Sequence, residues 1–291
     1  MLMPTTQQPS RPEVLRRNNV MVKGHEQGKP ALVFVNGFGS EQSTWRAVTP
    51  SFANSHRIVL FDHVGTGGSQ RSAYDSPKYA SLHGYADDLL AVCDAANVPG
   101  PVLIGHGVGA MIAILAAIRQ PQAFRQLVLI GPSPCFLNDG SYLGGFEPED
   151  LLAMLEAVDV QYEPWAREMA PLITGSPERP ELAREVEAGF NHMDSRIARQ
   201  FASVTYACDH RAELPLLATP TVIVQCADDN VVPEVVGEFM RDAIPDCLLV
   251  RLEGVGHWPQ LSAPRQLVAT LTGLLEEGWS TTEPAELSSN L

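Results

Sequence analysis

The chain has few cysteines and few basic residues. Five cysteines are scattered through 291 residues without a Cys-x-x-Cys pair. An odd, dispersed set argues against a disulfide scaffold and predicts reduced thiols, so we expect a cytoplasmic protein. Lysine and arginine number 20 against 34 acidic residues, which gives a net charge of −14. That charge argues against nucleic acids and anionic membranes as partners.

Long hydrophobic runs are also missing. The N-terminal stretch MLMPTTQQPSRPEV contains no apolar segment of the kind found in signal peptides, so we expect none. The most apolar stretch, residues 101–118, is too short and too interrupted by glycine to span a bilayer. It is typical of a buried core, and the 291 residues fit one large domain with an insertion.

Short aliphatic segments alternate with amphipathic ones along most of the chain. The predicted strands are Ala31–Val35, Arg57–Phe61, Val102–Ile104, Leu127–Ile130, Thr221–Cys226 and Leu248–Leu252. The predicted helices are Ser43–Ala53, Leu82–Ala96, Ala110–Arg119, Pro233–Ala243 and Pro264–Glu277. Such alternation predicts an α/β fold with a mostly parallel, doubly wound sheet. Val14–Val22 is a candidate for an added antiparallel edge strand.

Residues 135–214 interrupt this alternation, because they contain no strand-like segment. Four helices are predicted there, at Pro148–Val158, Tyr162–Ile173, Pro180–Phe190 and Ser195–Cys208. We expect them to form a lid above the carboxyl edge of the sheet, where ligands of open α/β sheets bind. The α/β core then comprises residues 14–134 and 215–278, with flexible ends at 1–13 and 279–291. The aromatic residues predicted to line a substrate pocket are Phe136, Phe146, Trp165 and Phe201.

The stretch 101–118 has the pattern of a nucleophile elbow without the nucleophile. An apolar strand is followed by Gly105-His106-Gly107-Val108-Gly109 and then by an apolar helix. The elbow of α/β-hydrolases is Gly-x-Ser-x-Gly, with serine on a strained strand-to-helix turn. Here Gly107 occupies the place of that serine. We interpret the neighbouring His106 as a packing residue.

A dinucleotide-binding loop is the alternative interpretation of the same glycines. Gly105, Gly107 and Ala110 also satisfy Gly-x-Gly-x-x-Ala between a strand and a helix. That motif requires an acidic residue about 20 positions further on to bind a ribose hydroxyl. The next strand ends in Gly-Pro-Ser-Pro at residues 131–134, without an acid. We therefore expect no nucleotide cofactor.

Three further motifs follow predicted strands. They are Asn36-Gly37-Phe38-Gly39, Asp228-Asp229-Asn230 and Gly256-His257-Trp258-Pro259. Taken singly, the first is typical of a glycine turn and the second of a helix cap. Their order along the chain, elbow then acid then histidine, is that of the α/β-hydrolases. His63, His83, His192 and His210 show no metal-ligand spacing, so no metal is expected.

Several longer segments resemble one known family. They are NGFGSEQSTW (36–45), FDHVGTGGS (61–69), GPSPCFLND (131–139), GGFEPEDLL (144–152), ARQFA (198–202), CDHRAELP (208–215), QCADDNVVP (225–233) and GHWPQLSAP (256–264). On these segments the chain resembles the RsbQ-type α/β-hydrolases of the bacterial sigma-B stress pathway and, more distantly, the plant karrikin and strigolactone receptors. The resemblance implies a four-helix lid over a mainly apolar pocket for a small hydrophobic ligand.

The resemblance also implies roles for individual residues. Asp229 matches the triad acid, His257 the triad base, and the backbone N–H groups of Phe38 and Val108 the oxyanion hole. Gly107 falls on the nucleophile, and glycine forms no acyl-enzyme. We therefore expect a hydrolase of small esters or lactones that is inactive as printed. The alternative is a non-catalytic receptor that engages a signalling protein through its lid.

Two origins of Gly107 stay open. An engineered inactivation would hold a substrate uncleaved, and a natural replacement would suit a protein that binds and signals without turnover. The intact acid and histidine favour the first, since drift would be expected to erode them.

Overall fold

The computed structural model describes residues 9–25 and 28–276, with only the backbone described at residues 254 and 255. The expected flexible ends at residues 1–8 and 279–291 lie outside this range. Residues 11–13, expected to belong to the N-terminal extension, instead begin a helix.

A seven-stranded sheet forms the centre of the described chain. Its strands are β1 (Met21–Gly24), β2 (Leu32–Val35), β3 (Arg57–Leu60), β4 (Val102–His106), β5 (Gln126–Ile130), β6 (Thr221–Asp228) and β7 (Cys247–Val255). They are ordered β1-β3-β2-β4-β5-β6-β7, and β1 alone of these strands runs antiparallel to its neighbour. All residues of β2 and β4 are buried, because helices cover both faces of the sheet.

Ten helices accompany the sheet in the described chain. They are α1 (Arg11–Arg17), α2 (Leu82–Ala96), α3 (Val108–Arg119), α4 (Pro148–Val160), α5 (Tyr162–Thr174), α6 (Pro180–His192), α7 (Ser195–Tyr206), α8 (Glu234–Ala243), α9 (Pro259–Ser262) and α10 (Pro264–Glu276). Successive residues of β4 point to opposite faces, as a strand requires. Leu103 belongs to the core under α2 and α3, whereas Val102 and Ile104 belong to the core under α10. No helix among the described residues is long and apolar enough to cross a bilayer.

Two predicted elements differ from the structure. The antiparallel edge strand expected at Val14–Val22 is present, but it is β1 (Met21–Gly24), paired with β3, and most of the predicted range lies before it, where the chain forms α1. Pro12 in its first turn, Glu13 beside it and Arg16 and Arg17 in its last turn all favour this helix. The predicted helix Ser43–Ala53 is instead two short 3-10 turns, Gln42–Trp45 and Thr49–Ser51. Pro50 explains the break, since it removes a backbone donor that a continuous helix needs.

Helices α4 to α7 lie between β5 and β6 and begin at the residues predicted from the sequence. The two ends of this insertion are joined by a backbone bridge between Cys135 and Asp209. Helix α6 packs directly on the loop after β2, because a Cβ atom at Gly39 would lie only 2.0 Å from the Phe190 ring. A side chain at Gly39 would push α6 away from that loop.

Candidate active site

Gly107 forms a sharp turn between β4 and α3. Its backbone has φ 54° and ψ −123°, a conformation in which a side chain is strained. The turn is fixed by hydrogen bonds from Gly107 N to Ile130 O, 2.9 Å, and from Ala110 N to Gly107 O, 3.0 Å. A Cβ atom built at Gly107 would lie 3.2 Å from Nε2 of His257. The turn therefore directs any side chain at position 107 towards His257.

His257 and Asp229 form a hydrogen-bonded pair at the ends of β7 and β6. Nδ1 of His257 lies 2.7 Å from Oδ2 of Asp229, whose side chain is 1% exposed. The other carboxylate oxygen accepts hydrogen bonds from the backbone N–H groups of Val231, 2.8 Å, and Val232, 2.9 Å. Burial raises the pKa of Asp229, but His257 and these donors outweigh it and lower the pKa overall. The carboxylate thus orients the imidazole with Nε2 towards Gly107.

The structure separates the two acids of the Asp228-Asp229 motif. Asp228 ends β6 and is exposed, whereas the Asp229 carboxylate is enclosed. Oδ1 of Asp229 accepts the two backbone hydrogen bonds that are typical of a cap, and Oδ2 pairs with His257. The carboxylate is therefore compatible with both interpretations of the motif.

His106 holds the backbone of His257. Its Nε2 lies 2.8 Å from the carbonyl oxygen of His257, to which it donates a hydrogen bond. Burial, and then the neighbouring His257, lower the pKa of His106 to about 3, so the ring is neutral near pH 7. On the other side, the His257 N–H donates to Ile173 O of α5, 2.8 Å away. The imidazole of His257 is thereby positioned by both the sheet and the insertion, a role for His106 that sequence analysis missed.

Phe38 and Val108 both line a small cavity beside Gly107. Within the described residues, neither backbone N–H donates to a protein acceptor. Val108 is the first residue of α3, where helix N–H groups lack intrahelical partners and the helix dipole is positive. Phe38, Val108 and His257 thus line the same cavity.

The cavity measures about 20 Å³ and is mostly apolar. Of the predicted pocket residues, Phe136 lines it directly. Trp165 and Phe201 do not line it but pack against the Phe38 ring, at centroid distances of 6.1 and 5.5 Å, and Trp165 also packs against Phe190 at 5.2 Å. Phe146 lies further out, against Phe136 at 6.3 Å.

Further lining residues were not predicted: Ile173, Phe190, Thr205, Tyr206 and Trp258. Trp258 had a signal, because it is adjacent to His257 in the sequence. The others lie on α5, α6 and α7, whose periodicity shows which residues are buried but not which of them face the elbow.

Comparison with known proteins shows the family of this chain. The profile of the "Alpha/beta hydrolase family" matches residues 32–270. The chain is 37% identical to "Strigolactone esterase D14" of Arabidopsis thaliana, covering 90% of this chain and 97% of that protein. It is 33% identical to "Karrikin insensitive 2 receptor CA" of Petunia hybrida, covering 87% and 94%. A solved structure of a hydrolase from Oleispira antarctica matches with a TM-score of 0.89 and 30% identity, covering 92% and 98%. The chain belongs to the alpha/beta hydrolase family.

Proposed function

We propose that this protein is an RsbQ-type hydrolase that binds a small hydrophobic ester or lactone but, with glycine at position 107, does not hydrolyse it. The observation that carries the proposal is the orientation of the His257 imidazole. Its Nε2 points at the Cβ position of Gly107 from 3.2 Å, with Asp229 paired behind it. We assign Asp229 as the acid and His257 as the base, beside a residue that offers no oxygen.

With serine at position 107, the geometry supports acyl transfer. The serine oxygen attacks the carbonyl carbon while His257 accepts its proton, and Asp229 keeps the imidazole in the required tautomer. The N–H groups of Phe38 and Val108 stabilise the oxyanion. Glycine removes only the attacking atom, so residual catalysis of about 10³ over water is expected from the oxyanion donors and binding.

The substrate class follows from the walls of the cavity. Phe38, Phe136 and Phe190 present apolar rings, and Thr205 and Tyr206 add two hydroxyl groups. A cavity of about 20 Å³ holds little more than one water, so an ester must displace part of the insertion. We propose that residues 135–214 act as a lid on a core of residues 14–134 and 215–278, in the cytoplasm.

A non-catalytic receptor is the second candidate. Two observations favour it, namely the missing nucleophile and the similarity to proteins named as a strigolactone esterase and a karrikin insensitive 2 receptor. Exposed apolar side chains on α4 and α5 would contact the signalling partner, including Leu152, Val160 and Leu172.

Restoring the nucleophile tests the proposal. We expect Gly107→Ser to hydrolyse 4-nitrophenyl acetate with a kcat at least about 10³-fold above that of the parent protein with Gly107. A burst of nitrophenol should be seen if the acyl-enzyme accumulates. Gly107→Ala is the matched control, because it adds the Cβ atom without the oxygen, and it should stay inactive. Equal rates for the serine and alanine variants would overturn the triad assignment and favour the receptor.

A further inference from the structure

One polar side chain of α7 borders the cavity without a hydrogen-bond partner. Thr205 lines the cavity and is 3% exposed. Its Oγ1 atom is buried and has no hydrogen-bond partner among the described residues. Buried hydroxyl groups in proteins are nearly always hydrogen-bonded, so a ligand in the cavity is the expected partner of this one.

Thr205 departs from the usual behaviour of a threonine in a helix. Such a hydroxyl commonly donates to a backbone carbonyl one turn earlier in the same helix. Thr174, the other buried threonine in an α-helix of the described chain, donates in this way to Pro171 O at 3.1 Å. The corresponding carbonyl for Thr205 belongs to Phe201, and Oγ1 does not donate to it. The Thr205 hydroxyl is therefore available to an acceptor outside the helix.

Helix α7 is tied on both sides of Thr205 to residues outside the insertion. Before it, the Gln200 amide donates to Ser76 O, 2.7 Å, and accepts from Ser76 Oγ, 2.6 Å. After it, the backbone N–H of His210 donates to Pro134 O, 2.8 Å. These ties keep Thr205 beside the cavity when an ester displaces other parts of the insertion. A group that selects between substrates needs such a fixed position.

We propose that Thr205 makes this site selective for esters that carry a second oxygen close to the reacting carbonyl, such as alkoxyacetates. The Thr205 hydroxyl donates a hydrogen bond to that second oxygen. The cavity of about 20 Å³ touches both Gly107 and Thr205, so the second oxygen has to lie within a few bonds of the carbonyl carbon. This inference rests on the proposed function and names its substrate class more narrowly.

An ester with a hydrocarbon acyl chain is expected to be the poorer ligand. It would exclude water from the Thr205 hydroxyl without offering an acceptor, and a buried donor would be left unpaired. Sites that hydrogen-bond one group of a substrate discriminate against analogues that lack the group. The contribution of a single neutral hydrogen bond corresponds to a preference of about 2- to 12-fold.

Two matched esters measure this preference. Methyl methoxyacetate and methyl butyrate have the same number of non-hydrogen atoms and differ only in an ether oxygen that replaces a methylene group. Their Kd values for the parent protein are measured through tryptophan fluorescence, since Trp258 lines the cavity. In Thr205→Val, which keeps the side-chain shape, we expect the Kd of the methoxyacetate to rise about 2- to 12-fold relative to that of the butyrate.

Two further variants serve as controls for the hydroxyl. Thr205→Ser keeps the hydroxyl and should retain the Kd ratio of the parent. Thr174→Val also removes a buried threonine hydroxyl from a helix of the insertion, but that hydroxyl donates to Pro171 O, so the ratio should stay that of the parent. In the Gly107→Ser background, the kcat/KM ratio for 4-nitrophenyl methoxyacetate and 4-nitrophenyl butyrate should fall by a similar factor on Thr205→Val. Comparing ratios cancels the different intrinsic reactivities of the two esters.

Three results would overturn the inference: a Kd ratio in Thr205→Val equal to that of the parent, a loss of preference in Thr205→Ser as large as in Thr205→Val, or no binding of methyl methoxyacetate to the parent. Hydrolysis of 4-nitrophenyl acetate by Gly107→Ser is measured alongside. If that variant is active and Thr205→Val keeps the ratio, the role of Thr205 alone is wrong. If the ratio changes as expected and Gly107→Ser is inactive, the catalytic part of the proposed function is wrong.

Discussion

Adding a side chain at Gly107 should lower the stability of this protein, and the size of the loss follows from the backbone. The residue has φ 54° and ψ −123°, a conformation that costs a non-glycine residue roughly 1–3 kcal/mol. The new Cβ would also lie 3.2 Å from His257 Nε2, so the imidazole must move by a few tenths of an ångström. Gly107→Ala exposes this cost most directly.

Gly107→Ser should be less destabilised than Gly107→Ala. The hydroxyl of serine can donate to His257 Nε2, and such a hydrogen bond stabilises the folded state by about 0.5–1.5 kcal/mol, which offsets part of the backbone strain. For a chain of this length, the alanine cost corresponds to a fall in Tm of about 2–8 °C, scaled from the value for somewhat smaller domains. We expect both variants to melt below the parent, with alanine the lower of the two.

Melting curves by differential scanning calorimetry, without ligand and in one buffer, measure these shifts. Two glycines serve as controls. Gly100 shares the positive φ but has open space around it, so Gly100→Ala reports backbone strain without the histidine contact. Gly273 lies in α10 with open space, and Gly273→Ala should raise Tm through better helix propensity. If Gly107→Ala melts at or above the parent while Gly273→Ala behaves as expected, the strained elbow is refuted.

Three further predictions concern the dyad and its neighbours. In the Gly107→Ser background, His257→Ala and Asp229→Asn should each abolish most 4-nitrophenyl acetate hydrolysis, whereas Asp228→Asn should leave it nearly unchanged. A larger loss of activity in Asp228→Asn than in Asp229→Asn would mean that Asp228 is the triad acid. His106 is buried and neutral in the folded state but becomes protonated below about pH 6.5 when unfolded, so stability falls as pH falls from 6.5 towards 3. Urea unfolding at pH 7.5 and pH 5 measures how much the free energy of unfolding falls between these pH values. The fall should be smaller by about 2 kcal/mol in His106→Gln than in the parent, and equal falls would contradict the buried neutral ring. The pKa of Asp229 is lowered on folding, so the stability that its carboxylate contributes is present above about pH 4 and is lost as pH falls further. In urea unfolding below pH 4, the free energy of unfolding should therefore depend less on pH in Asp229→Asn than in the parent, and Asp228→Asn should behave like the parent.

Much of the sheet was predictable because its signal is local. A parallel strand buried on both faces needs a continuous aliphatic run, and such runs mark β2 to β7 to within a few residues. The helices of the insertion were located at their first residues because Pro148, Pro180 and the Asp194 cap mark those positions. The segment around Pro50 was mispredicted, since apolar periodicity was given more weight than the missing backbone donor.

The lining of the cavity was less predictable. Of the four aromatic residues expected to line a pocket, Phe136 lines this cavity, whereas Phe146, Trp165 and Phe201 do not. An aromatic residue on an amphipathic helix is buried in either case, and its sequence position does not show whether it faces the elbow or the core. The packing of α6 on the loop at Gly39 placed Phe190 there instead.

The sequence by itself determined most strands and helices, the glycine at position 107 and the chain order of acid and histidine, because each depends on residue types over a short stretch. Only the tertiary structure decided which acid pairs with His257, how far its Nε2 lies from position 107, and that His106 and Ile173 fix its backbone. These contacts join strands and helices distant in sequence. Their distances depend on how β4, β6, β7 and α5 pack together, which no local pattern records.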